Sequence, residues 1–367
     1  MKVESQHIPL FSQENSLKLD SGKHLGPIEL YVETLGHLNK QKNNAILICH
    51  ALTHGAHVAG KTKDHQEKGW WETYVGPGRA IDTNQFYVVC SNILGSCYGS
   101  TGPTSIDPAT KQAYGASFPI ITVHDMVRAQ KKLMDHLDIP TWAAVVGGSL
   151  GGLQALCWAS DYPDHLRSCL TLAATAQVST QAVAFDYVGT KAIQQDPNYK
   201  EGAYTKESPL EGLSLARMLA HITYSSEESF QKKFGRLLQK KDKYSYSLEP
   251  EFQVENYLQY QGNKFLKRFD ANTYLILKKA LSYFDIKARF GSIKKAFKKS
   301  NCDFLIVAMT SDWLYTPKQS QELAKALMQL NKNVSYLEVD SKEGHDGFLK
   351  ENPILQDSIA AFLKRLL

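Results

Sequence analysis

One segment of this 367-residue chain is suited to nucleophilic chemistry: Gly147-Gly148-Ser149-Leu150-Gly151-Gly152. It has the G-x-S-x-G form, in which a sharp strand-to-helix turn presents a serine hydroxyl at the carboxyl end of a sheet. Glycines flank the serine because side chains beside it would collide in so tight a turn. The setting agrees, since the apolar run 142–146 reads as a strand and 153–160 reads as a helix. The bare pattern also fits a plain strand–helix turn or a phosphate-binding loop, so its partners decide.

A serine hydroxyl needs a base to take its proton and an acid to orient that base. Behind such an elbow the acid comes first and the histidine second, each on a loop beyond a strand's carboxyl end. Asp312 lies three residues past the strand-like run 304–309, and His345 lies six past the run 334–339. Asp303 precedes its strand and falls at the opposite end. Asp340 follows a strand but is only five residues from the histidine, and ranks second. The expected triad is Ser149, His345 and Asp312. An oxyanion hole requires backbone donors, here the amides of Leu150 and of Leu52 in the loop after the run 45–49. His50, His54 and His57 share that loop at a spacing that invites a metal reading. No carboxylate accompanies them and the segment lacks a helical pattern, so no metal is expected.

The elements that must position these residues are legible as hydrophobic patterns. Continuous apolar runs at 45–49, 86–90 and 142–146 suit strands buried on both faces of a mostly parallel sheet. A helical pattern at 123–137 lies between the second and third, which argues for a wound α/β sheet. From about 184 to 300 the pattern is helical, as in 212–224, 227–239 and 272–284. Strand-like runs then return at 304–309 and 334–339, with helices at 320–330 and 353–366. The expected organisation is an α/β core, 1–183 and 301–367, interrupted by a helical insertion, 184–300.

Composition excludes several classes. With 43% AVILMFWYC and 22% charged residues the chain can bury a large core. No apolar run nears the roughly 20 residues of a membrane helix. Residues 1–19 include Glu4, Gln6, Gln13 and Glu14, which does not suit a signal peptide. Six cysteines without a C-x-x-C pair read as buried thiols in a reducing cytoplasm. The net charge of +5 is too mild to mark a nucleic-acid partner, but it is unevenly placed. Residues 189–300 hold 21 Lys/Arg against 12 Asp/Glu, while the rest of the chain is slightly acidic. A basic insertion near the entrance would attract an anionic substrate.

The sequence resembles the homoserine O-acyltransferases of the α/β-hydrolase superfamily through blocks along nearly its whole length. These include His50-Ala51-Leu52-Thr53, Gly69-Trp70-Trp71, Gly76-Pro77-Gly78, Gly99-Ser100-Thr101-Gly102-Pro103 and Gly147 to Gly152. In the insertion come Ala216-Arg217-Met218, His221-Ile222-Thr223-Tyr224 and Arg268-Phe269-Asp270-Ala271-Asn272, and later Ser311-Asp312 and Gly344-His345-Asp346. The resemblance implies an α/β-hydrolase fold with a helical lid, and a ping-pong acyl transfer through acyl-Ser149. It implies acetyl-CoA as donor substrate, no permanent cofactor, and L-homoserine as acceptor, giving O-acetyl-L-homoserine for methionine synthesis. Arg217 and Tyr224 would hold the amino acid's carboxylate, and Asp346 its ammonium group. A homodimer through the insertion is also implied. The His54-Gly55 pair departs from the usual loop of many relatives beside the acyl pocket, so the donor preference stays open, and a homoserine (or serine) O-succinyltransferase is the alternative. A lidded esterase or thioesterase is the alternative of another class.

Overall fold

The computed structural model describes residues 2–62, 67–204 and 210–367. Eight strands form one sheet: β1 (Val3–Phe11), β2 (Ile28–Leu35), β3 (Ala45–Cys49), β4 (Tyr87–Ser91), β5 (Ala144–Gly148), β6 (Ser168–Leu172), β7 (Asp303–Met309) and β8 (Val334–Val339). Their spatial order is β1-β2-β4-β3-β5-β6-β7-β8. The pairs β1–β2 and β2–β4 are antiparallel, and every other pair is parallel.

Parallel strands need crossover connections, and the helices that provide them cover the sheet. Alternate residues of one strand therefore enter different cores. Ala45, Leu47 and Cys49 of β3 pack with α1 (Val123–His136) and α2 (Leu150–Asp161), whereas Ile46 and Ile48 join the opposite cluster. The opposite cluster contains Leu355, Ile359, Phe362 and Leu363 of the last helix, Pro353–Lys364. A strand with no polar face reads as an unbroken apolar run, which is why the central strands are visible in the sequence. The pattern places the third strand at 142–146, two residues early, because Trp142 and Ala143 are buried before the ladder begins.

β1 and β2 give no comparable signal. β1 is an edge strand with mostly exposed residues, and β2 carries Glu29 and the fully buried Glu33. Between Leu172 and Asp303 the described residues form seven α-helices: α3 (Thr180–Gln194), α4 (Glu211–Tyr224), α5 (Glu227–Phe234), α6 (Gln253–Leu266), α7 (Ala271–Ser282), α8 (Ile286–Phe290) and α9 (Ile293–Phe297). α3 starts four residues before the expected boundary, where Ser179 accepts the N–H of Ala182 as an N-cap. α5 stops five residues short of the 227–239 pattern because Gly235, at φ 51°, ends it. The chain continues through α10 (Pro317–Met328) and α11 (Pro353–Lys364). Five of the six cysteines are buried and all six are free. No helix among the described residues is long and apolar enough to cross a membrane.

Candidate active site

Ser149 is the single residue between β5 and α2, with φ 54° and ψ −126°. A non-glycine residue in that region carries about 1–3 kcal/mol of strain and persists only where its surroundings hold it. Here the Ser149 N–H donates to Leu172 of β6 at 2.9 Å, and its carbonyl accepts the N–H of Leu153 at 3.1 Å. Glycine at 151 is obligatory for a separate reason. A Cβ there would lie 2.0 Å from the carbonyl oxygen of Cys49, so only glycine lets α2 begin against β3.

The two other predicted residues of the triad converge on the serine. His345 Nε2 lies 2.8 Å from Ser149 Oγ, and His345 Nδ1 lies 2.7 Å from Asp312 Oδ2. An ionised carboxylate only accepts, so Nδ1 carries the proton and Nε2 is free to take one from the serine. Asp312 is fixed in turn, its Oδ1 accepting the N–H groups of Leu314 and Tyr315 at 2.9 Å each. Asp340 faces elsewhere, accepting from the Thr310 hydroxyl, and Asp303 opens β7 at the far end of the strand. Burial opposes the imidazolium of His345. The charge and hydrogen bond of Asp312, followed by the charge of Asp346, outweigh it and raise the pKa above 6.5. A serine, a basic histidine and a buried carboxylate in this order can perform acyl transfer.

A cavity of about 100 Å³ opens above the serine. Its walls bring together Leu52, Thr53 and His54 of the loop after β3, Arg217 and Tyr224 of α4, Arg268, and His345 with Asp346. Leu52 is thus on the cavity wall. Leu150 is the first residue of α2, where N–H groups have no acceptor within the helix. Arg217 is 9% exposed, and its Nε and Nη1 have no hydrogen-bond partner among the described residues. Its guanidinium lies over the Phe265 ring at 4.7 Å. Asp346 forms no ion pair among the described residues, and burial raises its pKa. The ring of Tyr224 lies 5.8 Å from that of His345. A larger hollow of about 400 Å³ between α3 and α7 has none of the triad in its walls, so chemistry rather than size selects the site.

Arg268, in the segment Arg268-Phe269-Asp270-Ala271-Asn272, carries no role legible in its sequence pattern. Its Nη1 donates to the carbonyl of Thr53 and to the Tyr98 hydroxyl, each at 3.3 Å. The three histidines of the loop part company. His50 accepts the N–H of Ile93 and donates to the Ala51 carbonyl, and burial lowers its pKa to about 4. His57 bonds the carboxylate of Glu33 at 2.9 Å. His54 lines the cavity with an unpartnered Nδ1; burial, then His50, Arg268 and Arg217, lower its pKa to about 3. Among the described residues no group of three metal-ligating side chains converges.

Comparison with known proteins places this geometry. A family profile described as alpha/beta hydrolase fold matches residues 44–352. The chain is 49% identical over 365 residues to a homoserine O-acetyltransferase of Methanosalsum zhilinae, covering 99% of this chain and 73% of the relative. It is 48% identical over 364 residues to a homoserine O-succinyltransferase of Saccharophagus degradans, covering 97% and 95%. Among solved structures, esterase E22 is similar with a TM-score of 0.91 at 29% identity, covering 99% of this chain and 100% of the esterase.

Proposed function

The chain belongs to the homoserine O-acyltransferase family of the α/β-hydrolase superfamily, and we propose that it moves an acetyl group from acetyl-CoA to the hydroxyl of L-homoserine. The observation that carries this reading is the pairing of Arg217 and Asp346 in the cavity above Ser149. A buried guanidinium with unused nitrogens needs an anion, and an unpaired carboxylate needs a cation. An α-amino acid supplies both at once; a simple ester supplies neither.

In the first half-reaction His345 Nε2 takes the Ser149 proton while Oγ attacks the thioester carbon. The amides of Leu52 and Leu150 receive the developing oxyanion. Collapse breaks the C–S bond, and the His345 proton leaves with the CoA thiolate. In the second, His345 deprotonates the homoserine hydroxyl as its oxygen attacks acyl-Ser149. The ester forms, and Ser149 Oγ leaves with the returned proton. Asp312 holds the tautomer throughout. α4 and the Arg268 segment over the cavity act as a lid that limits water. O-acetyl-L-homoserine is an activated ester suited to methionine synthesis.

The acetyl donor is supported by the 49% identical homoserine O-acetyltransferase of Methanosalsum zhilinae. A succinyl donor is the second reading, favoured by the relative from Saccharophagus degradans and by Arg268, whose guanidinium a distal carboxylate could meet. The reading includes a cytoplasmic homodimer paired through α3 and α4, where Tyr187, Val188, Leu215 and Ile222 are exposed. Sedimentation velocity on the wild type and a Val188→Glu/Leu215→Glu variant tests that pairing.

The deciding assay follows CoA thiol release from acetyl-CoA or succinyl-CoA, with and without L-homoserine or L-serine. Homoserine-dependent release with acetyl-CoA is expected. Release that ignores the amino acid would instead support an esterase or thioesterase.

A further inference from the structure

The helix that carries Arg217 and Tyr224 rests on both loops of the triad. α4 ends at Tyr224, and the next peptides, through Ser225 and Ser226, run between the residue after the acid and the residue before the base. Trp313, next to Asp312, donates its indole N–H to the Ser225 carbonyl at 2.9 Å. Gly344, next to His345, is at φ 68°, and a Cβ there would lie 2.6–2.7 Å from Ser225 C, Ser226 N and Tyr224 O. The Ser226 hydroxyl donates to the carbonyl of Lys342 on the same loop. The loops are tied to each other as well, since the Gly344 N–H donates to Ser311 Oγ at 3.0 Å. Beneath this, the Trp313 ring meets Phe185 of α3 edge-on at 5.4 Å.

We propose that Trp313 is a positioning residue that couples occupancy of the acceptor site on α4 to the alignment of His345. This rests on the reading of Arg217 and Tyr224 as the acceptor site. The last carbonyls of a helix have no partner within it. Trp313 satisfies one just past the end of α4 and joins it rigidly to Asp312. When an acceptor carboxylate fixes Arg217, α4 is fixed, and the Tyr224–Ser226 backbone sets how Gly344 and His345 sit. A displacement of about 1 Å at a reacting group can lower a rate about a hundredfold. The acyl-enzyme is therefore poised for an amino acid and poorly poised for water. Acylation draws on the Ser149–His345 contact, already formed at 2.8 Å in this structure, whereas transfer also needs His345 aligned on the acceptor hydroxyl, and the coupling acts there.

The test uses the full-length protein and a Trp313→Phe variant, which keeps an aromatic ring facing Phe185 while removing the indole donor and part of the ring. Acylation is read as the first-turnover burst of CoA thiol with acetyl-CoA alone. Transfer is read as kcat with saturating L-homoserine and with 3-aminopropan-1-ol, which lacks the carboxylate. The expected result is a burst rate within about twofold of wild type and a kcat with homoserine lowered about tenfold, the loss of one hydrogen bond. With 3-aminopropan-1-ol wild type and variant should match, because no carboxylate is present to be coupled. Equal loss in burst, homoserine transfer and aminopropanol transfer would mark ordinary structural damage and overturn the proposal. Unchanged transfer to homoserine would overturn it too. Ser226→Ala, which cuts the bond to Lys342 and also uncaps α5 at the Ser229 N–H, should reproduce the split and serves if the tryptophan variant misfolds. If the wild type itself shows no homoserine-dependent release, the functional reading fails first, before any variant is compared.

Discussion

The backbone N–H of Ser149 donates to the carbonyl of Leu172, at 2.9 Å, and this bond ties the proposed nucleophile to the end of the neighbouring strand. Ser149 is left in a strained conformation that the parallel ladder of β5 and β6 maintains. The strain aims Oγ at His345, so the sheet rather than the loop sets the nucleophile's position.

His345 can act as a base only when neutral, and its pKa is raised above 6.5. Activity on acetyl-CoA should therefore fall as pH drops through a value above 6.5. Asp346→Asn removes one of the charges that raise it, so the acid limb should move to lower pH. A kcat/KM profile for acetyl-CoA measured on both proteins checks this, and an unmoved limb would show no coupling. The same shift bears on stability: the contribution of His345 is full below its unfolded value, near 6.5, and is lost as pH rises through the folded value.

Arg217→Met should separate binding from folding. The guanidinium is buried with Nε and Nη1 unpartnered, so replacing it by an apolar chain of similar length removes an unfavourable group. Thermal denaturation should show a Tm unchanged or raised. KM for homoserine should rise about thirtyfold, from about 2 kcal/mol of lost charge pairing, while the acylation burst is spared. A lowered Tm with unchanged KM would move Arg217 out of the acceptor site.

Lys278 of α7 and Asp186 of α3 form a buried ion pair at 2.5 Å. Burial opposes the charge on Lys278, but Asp186 outweighs it and holds the pKa well above the usual lysine value. Lys278→Met should destabilise the protein by about 3–5 kcal/mol, because Asp186 is left buried and unpaired. The double variant with Asp186→Leu should recover most of the loss. Urea denaturation of the three proteins measures it.

Coenzyme A is strongly anionic, and the stretch 189–300 carries a surplus of nine positive charges. The kcat/KM for acetyl-CoA should fall as ionic strength rises from about 0.01 M to 0.15 M, over which the screening length drops from about 30 to about 8 Å. A salt-independent value would mean the basic residues do not steer the donor.

Single-residue replacement at the elbow has a sharp expectation. Ser149→Ala should lower homoserine-dependent thiol release about a millionfold, the scale seen when an acyl-transfer nucleophile is removed. Gly151→Ala should fold poorly, since its Cβ would lie 2.0 Å from the Cys49 carbonyl oxygen. Circular dichroism melts and the thiol assay distinguish the two effects.

Much of the site was legible because it consists of residues adjacent to strand ends. Strands buried on both faces leave unbroken apolar runs, so the elbow at Ser149 and the positions of Asp312 and His345 could be counted from them. The same counting left Asp340 as a rival, and only the folded loop, with the Leu314 and Tyr315 amides on Asp312, brings one carboxylate rather than the other to His345. β1 escaped notice because only Ile8 and Leu10 of this edge strand enter the core, too few to make an apolar run. Arg268 escaped a role because its position depends on packing between segments about 215 residues apart, where it meets the Thr53 carbonyl. Local pattern determined which residues could do chemistry. Contacts between distant segments decided which of them meet, because only three-dimensional packing sets side-chain distances across the chain.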